Sequence, residues 1–187
     1  MLNRIIEGLK GYLRKVERVI PAISPSSYKQ GTVRITQGWP EYMNGKKHSG
    51  IDMACRKGDK ILAVEEGEIV EIVPGSGKRV GRVVQRGATS NMRIIYKHTK
   101  AKCKVGDYLS PGDLIGYPDD SGKDVGLWDG YHLHFQIVNI AGDNADPVEY
   151  LMVYQPNIVF EFSEYYKTRS YYEKKDYYDK MNLGVPG

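Results

Sequence analysis

Cysteine and histidine are scarce in this chain: of 187 residues, two are cysteine and four are histidine. With two thiols, Cys55 and Cys103, and no secretory signal, buried or free thiols are expected rather than a disulfide. No apolar run approaches the roughly 18 residues of a transmembrane helix, so no transmembrane segment is expected. Charge of one sign is lacking as well, with 27 basic residues against 23 acidic ones, a net charge of +4 and a pI near 8.9. That excess is too small to argue for nucleic acid and at most favours approach to an anionic wall or membrane surface. What is present, 27% charged and 41% apolar residues in 21.2 kDa, suits one soluble domain with a real core and two short extensions.

The scarcity of histidine makes its placement informative. In Tyr131-His132-Leu133-His134-Phe135-Gln136-Ile137-Val138, a strand puts His132, His134 and Gln136 on one face and Tyr131, Leu133, Phe135 and Ile137 on the other. The apolar face enters a core, leaving two imidazoles about 7 Å apart on the opposite face. That spacing suits one metal ligand beside one group aimed at a substrate. His48 opens His48-Ser49-Gly50-Ile51-Asp52; on an extended segment residues 48, 50 and 52 face one way, with glycine between the two potential ligands, so no side chain blocks a metal. These two plus one imidazole from the strand make three protein ligands, the open set of a catalytic zinc whose fourth position holds water. His98 ends the strand-like run Met92-Arg93-Ile94-Ile95-Tyr96-Lys97-His98 and can bring a further, non-ligand imidazole.

In this order, His48-x-x-x-Asp52, a lone His98 after an apolar strand and His132-Leu133-His134-Phe135 resemble the lysostaphin and LytM type of zinc metalloendopeptidase. The resemblance runs from about Arg34 to Leu151 and takes in Gly67-Glu68-Ile69-Val70, Val105-Gly106-Asp107, Gly112-Asp113-Leu114-Ile115-Gly116 and Asp146-Pro147-Val148-Glu149-Tyr150-Leu151. It implies an all-β core of antiparallel sheets forming an open groove, zinc held by His48, Asp52 and His134, and proton transfer by His98 and His132. Bacterial peptidoglycan is the implied substrate, cut at a peptide cross-link or stem peptide. In the family the segment before the double-histidine strand forms one groove wall and commonly ends in a Thr-Gly step. Here Trp128-Asp129-Gly130-Tyr131 replaces it, which bears on cleavage specificity and leaves the metal chemistry alone.

Residues 1–31 read as an amphipathic helix and a linker. Leu2, Ile5, Leu9, Leu13, Val16 and Ile20 recur at helical spacing between charges, Pro21 stops the pattern, and the Pro- and Ser-rich stretch 21–30 follows. The interruption by charge excludes a signal peptide. Residues 32–151 carry the β-rich texture, with strands expected at 32–36, 60–64, 67–73, 82–85, 92–97, 114–117 and 131–139. Within them Cys55-Arg56-Lys57-Gly58-Asp59 echoes Cys103-Lys104-Val105-Gly106-Asp107, as two related hairpins would, and a disulfide between the matching cysteines is geometrically conceivable. In 152–187, Tyr165-Tyr166, Tyr171-Tyr172 and Tyr177-Tyr178 repeat at six residues. Tyrosine offers a large rigid surface with a polar tip, suited to a docking strip.

A wall-cutting enzyme without a visible export signal points to phage delivery, by a lysis pathway or as part of a particle, with virion or tail subunits contacted through 1–20 and 152–187. Two other classes fit parts of the pattern. A non-catalytic structural or wall-binding module could keep the peptidase fold, and a biotinyl or lipoyl carrier shares the Gly-Asp hairpin texture. The complete histidine set argues against both.

Overall fold

The computed structural model describes residues 23–24, 32–39, 42–43, 46–77, 79–120, 131–154 and 159–162. The helix expected over 1–20, the loop 121–130 with Trp128 and Asp129, and the paired tyrosines of 165–178 lie outside the described residues.

The strands are β1 (Ile23–Ser24), β2 (Thr32–Gln37), β3 (Tyr42–Met43), β4 (Lys46–Lys47), β5 (Ile51–Ala54), β6 (Lys60–Leu62), β7 (Gly67–Val73), β8 (Arg82–Gly87), β9 (Arg93–Lys97), β10 (Thr99–Ala101), β11 (Tyr108–Leu109), β12 (Leu114–Pro118), β13 (His132–Val138), β14 (Asn144–Ala145) and β15 (Val159–Phe162). One short helix, α1 (Pro147–Tyr154), lies between β14 and β15. The large sheet runs β11-β7-β8-β9-β13-β5-β2-β15, with β14 added to β13, and the small sheet runs β1-β6-β12-β10. Among the described residues all strand pairings are antiparallel except β15 on β2. The all-β core with antiparallel sheets is therefore as expected. Short strands the pattern did not mark also pair with it: β5, β10, β11 and β14 within 32–151, β1 inside the Pro- and Ser-rich stretch, and β15 beyond Leu151.

The alternation expected of β13 holds. Leu133, Phe135 and Ile137 are fully buried and pack with Val33, Ile35, Ile51, Met53, Ile61, Ile69, Ile94 and Ile115 in the main core. Burying each such side chain contributes roughly 1.5–3 kcal/mol. The opposite face is not left to solvent: His134 and Gln136 are buried too, as the floor of the site.

The echo at Cys55 and Cys103 proves to be one turn used three times. In Arg56–Asp59, Lys104–Asp107 and Ser110–Asp113 the aspartate N–H donates to the carbonyl of the first residue, and the aspartate carboxylate accepts from that residue's N–H at 2.7–2.8 Å. Gly58, Gly106 and Gly112 all sit near φ +90°, a conformation that costs glycine nothing extra. Each turn carries the chain between the two sheets (β5 to β6, β10 to β11, β11 to β12) instead of closing a hairpin within one. Cys55 and Cys103 are free thiols beside the core, and burial raises both thiol pKa values.

Asp146 caps α1: its carboxylate accepts from Val148 N–H at 2.8 Å, and Pro147 takes the first helical position, where no N–H is needed. The helix drives Val148, Tyr150 and Leu151 into the core. Tyr150 O–H donates to the buried Glu65 carboxylate, which also accepts from Thr89 N–H, Ser90 N–H and Ser90 O–H. No described helix is long and apolar enough to cross a membrane.

Candidate metal centre

Register brings the site together. In the antiparallel pair β13–β5, His134 lies directly opposite Asp52, so a carboxylate and an imidazole project side by side from neighbouring strands. His48 is four residues before Asp52, and the chain between them bends at Gly50. His134 Nδ1 lies 2.9 Å from Asp52 Oδ1 and 3.0 Å from His48 Nε2, and His48 Nε2 is 3.4 Å from Asp52 Oδ1. Four donors placed tetrahedrally at zinc distances of 2.0–2.1 Å are separated by about 3.3 Å. The triangle formed by these atoms is of that size, and the three residues form a group able to hold a metal ion. The donor set of two imidazoles and one carboxylate suits zinc and leaves a fourth position open.

The hydrogen bonding behind the ligands favours the same use. His48 Nδ1 is 2.9 Å from the Gly38 carbonyl, so Nδ1–H donates there and the Nε2 lone pair faces the other donors. Burial pushes the Asp52 carboxyl up, but its close contacts with His134 and His48, and the positive charge that His134 and His132 carry when protonated, outweigh it and hold Asp52 well below the usual carboxylate range. Burial pushes His134 down to about 4, against the hydrogen bond and charge of Asp52, with Lys97 and His48 lowering it further. An ionised carboxylate beside neutral imidazole is the state in which ligands bind metal.

The glycine between His48 and Asp52 has a second reason. A Cβ at Gly50 would sit 2.3 Å from the Phe135 carbonyl oxygen and 2.9 Å from His134 Nε2, so only glycine lets this bend lie against β13.

His98 and His132 meet as expected, with ring centroids 4.2 Å apart and planes at 53°. His132 Nε2 is 4.0 Å from Asp52 Oδ1, and its side chain is 34% exposed, so this pair borders the donor triangle on the open side. His98 is the residue at which the chain leaves β9 for β10 and the small sheet. It has φ +59°, which a side chain bigger than glycine's rarely adopts, and its carbonyl accepts from Asp119 N–H at 2.9 Å. The structure thus brings all five predicted residues into one site.

Several participants had no signal in the sequence. Ser49 and Lys97 lie against His134 Nε2, and Asn144 bonds Gln136, which strand alternation already put on the face of His134. Lys97 arrives by cross-strand register with His134, a pairing that residue types do not reveal.

An open His–Asp–His centre on a two-sheet β fold defines the protein as of the metallopeptidase class. Residues 46–148 match the family described as Peptidase family M23, and the chain belongs to that family. Among curated proteins it is 32% identical over 120 residues to lysostaphin of Staphylococcus simulans, covering 60% of this chain and 23% of that protein. Against the glycyl-glycine endopeptidase ALE-1 of Staphylococcus capitis the identity is again 32% over 120 residues, covering 60% of this chain and 31% of the relative. The chain thus spans about a quarter to a third of the length of these relatives. Among solved structures, LytU superposes with a TM-score of 0.55 at 26% identity, covering 68% of this chain and 89% of that one. The solution structure of lysostaphin superposes with a TM-score of 0.56 at 25% identity, covering 71% and 53%.

Proposed function

We propose that this protein is a zinc-dependent endopeptidase that hydrolyses peptide cross-links or stem peptides of bacterial peptidoglycan. The observation that carries the reading is the His98–His132 pair set against the donor triangle, which supplies two imidazoles free of ligand duty where a substrate would lie. His48, Asp52 and His134 would hold the ion, and zinc when bound supplies Lewis acidity towards the scissile carbonyl and acidifies water.

The remaining chemistry belongs to the chain. His132 Nε2, on the open side of Asp52, accepts the proton of the attacking water. His98, its ring 4.2 Å from that of His132 and tilted against it, donates a hydrogen bond to the oxyanion as it forms. The proton then returns from the pair to the leaving amine. Among the described residues no glutamate joins the ligand group as a base, so the two histidines carry proton transfer between them.

Similarity to lysostaphin and to a protein named as a glycyl-glycine endopeptidase supports a wall peptide as substrate. Delivery by a phage particle or lysis pathway belongs to the same proposal, supported by the amphipathic pattern of 1–20 and the paired tyrosines as surfaces for subunits; probing purified virions with an antibody checks it. Digestion of purified peptidoglycan from several wall types, with mass spectrometry of released fragments, tests the activity. New amine ends that disappear with His132→Ala and with chelator are expected, and the fragment masses name the bond. No release from any wall despite bound zinc would overturn the proposal in favour of a wall-binding module.

A further inference from the structure

Behind His134, on the side away from the donor triangle, lies a group of polar side chains that the proposed reaction does not use. His134 Nε2 is 3.3 Å from Ser49 Oγ and 3.4 Å from Lys97 Nζ. Lys97 Nζ is also 3.5 Å from Ser49 Oγ. Ser49 Oγ in turn is 3.3 Å from Gln136 Oε1, and Gln136 Nε2 is 2.6 Å from Asn144 Oδ1.

Donor and acceptor counting permits one arrangement compatible with a metal. If Nδ1 of His134 faces the metal with its lone pair, Nε2 carries the proton and can only donate. The Lys97 ammonium also only donates, so the two nitrogens at 3.4 Å cannot bond each other and need a shared acceptor. Ser49 Oγ has two lone pairs and one proton: it accepts from His134 Nε2–H and from Lys97, and it donates to Gln136 Oε1. Gln136, its amide orientation set by that bond, donates onward to Asn144 Oδ1. The His134 Nε2–H, the Ser49 hydroxyl and the Gln136 carbonyl then each have a partner, and the hydrogen bonds from His134 to Asn144 all point away from the metal position. Such aligned bonds reinforce one another and raise the basicity of Nδ1.

We propose that Ser49 is a positioning residue for the metal site, its hydroxyl being the hub that holds His134 in the Nε2–H tautomer through a relay to Gln136 and Asn144. The inference rests on the zinc reading above. It also assigns Lys97 a place: the ammonium occupies the second lone pair of Ser49 and so leaves the serine proton only Gln136 to bond.

The test is zinc affinity by competition with a chromophoric chelator, together with the imidazole N–H signals of the zinc-loaded protein by NMR, using the full chain. Ser49→Ala is expected to weaken zinc binding about 10–100-fold and to speed solvent exchange of the His134 Nε2 proton. Ser49→Thr, which restores a hydroxyl, is expected to recover both. Equal affinity and equal exchange in wild type and Ser49→Ala overturns the relay, as does a Ser49→Ala defect that Ser49→Thr does not repair. Zinc binding by wild type and lost with Asp52→Ala, yet indifferent to Ser49, would sink this inference alone. A wild-type chain that binds no zinc would sink the functional proposal with it.

Discussion

Replacing Gly50 by alanine adds one methyl group at the point where the ligand-bearing bend touches β13. The new Cβ would stand 2.3 Å from the Phe135 carbonyl oxygen, 3.0 Å from its carbon and 2.9 Å from His134 Nε2. Two of these three atoms are backbone, so no side chain can swing aside. Reaching ordinary contact at 3.4 Å requires an opening of 1.1 Å (3.4 − 2.3) between the bend and β13. If the same movement is passed to the adjacent pair, His134 Nδ1 and Asp52 Oδ1 separate from 2.9 Å to 4.0 Å (2.9 + 1.1). That exceeds the roughly 3.3 Å edge of a tetrahedral zinc site. Overpacking of this kind costs about 1–3 kcal/mol of stability, and a misplacement near 1 Å costs about 100-fold in a positioned reaction. Gly50→Ala should therefore lower the stability of the metal-free protein in urea by that amount and weaken zinc binding at least as strongly as loss of the Ser49 hydroxyl. Apo stability within about 0.5 kcal/mol of wild type, with unchanged zinc affinity, would refute the reasoning.

Two further outcomes follow from buried groups. Tyr150→Phe removes one of four donors to the buried Glu65 carboxylate, and should cost about 1.5–3 kcal/mol in a urea titration, as for a hydrogen bond to a charged group, with zinc affinity unchanged because Glu65 lies outside the donor triangle. The metal-free protein should also lose stability on mild acidification. His134 is shifted from 6.5 down to about 4 on folding, so between those values the unfolded chain binds a proton that the folded one refuses, and stability falls as pH falls, by at most about 1.4 kcal/mol per pH unit. Asp52, whose carboxyl is held low, adds a loss in the same direction below 3.8. A melting temperature of the apo protein that stays flat from pH 6.5 to 4 would contradict this.

Much of the site was legible because the code for a strand is local. Alternation in Tyr131–Val138 determines which residues share a face, and the His48-x-x-x-Asp52 spacing determines that both can turn to one side; neither needs knowledge of the rest of the chain. The three Gly-Asp turns were equally local, since a positive φ and a side chain returning to its own turn depend on four residues. Which strand neighbours which is not local. The sequence placed His48, Asp52, His98 and the two strand histidines on suitable faces, but only the pairing of β13 with β5 and β9 sets Asp52 and Lys97 against His134. For the same reason Ser49 and Asn144 read as ordinary loop residues until the fold carries Ser49 to the His134 ring, 85 positions along the chain, and Asn144 to Gln136, 8 positions away. The glycine at position 50 marks the boundary between the two kinds of information. Its type was readable as an absence of obstruction, but the Phe135 carbonyl that forbids any other residue comes from a strand 85 residues later, and only tertiary packing could put it there.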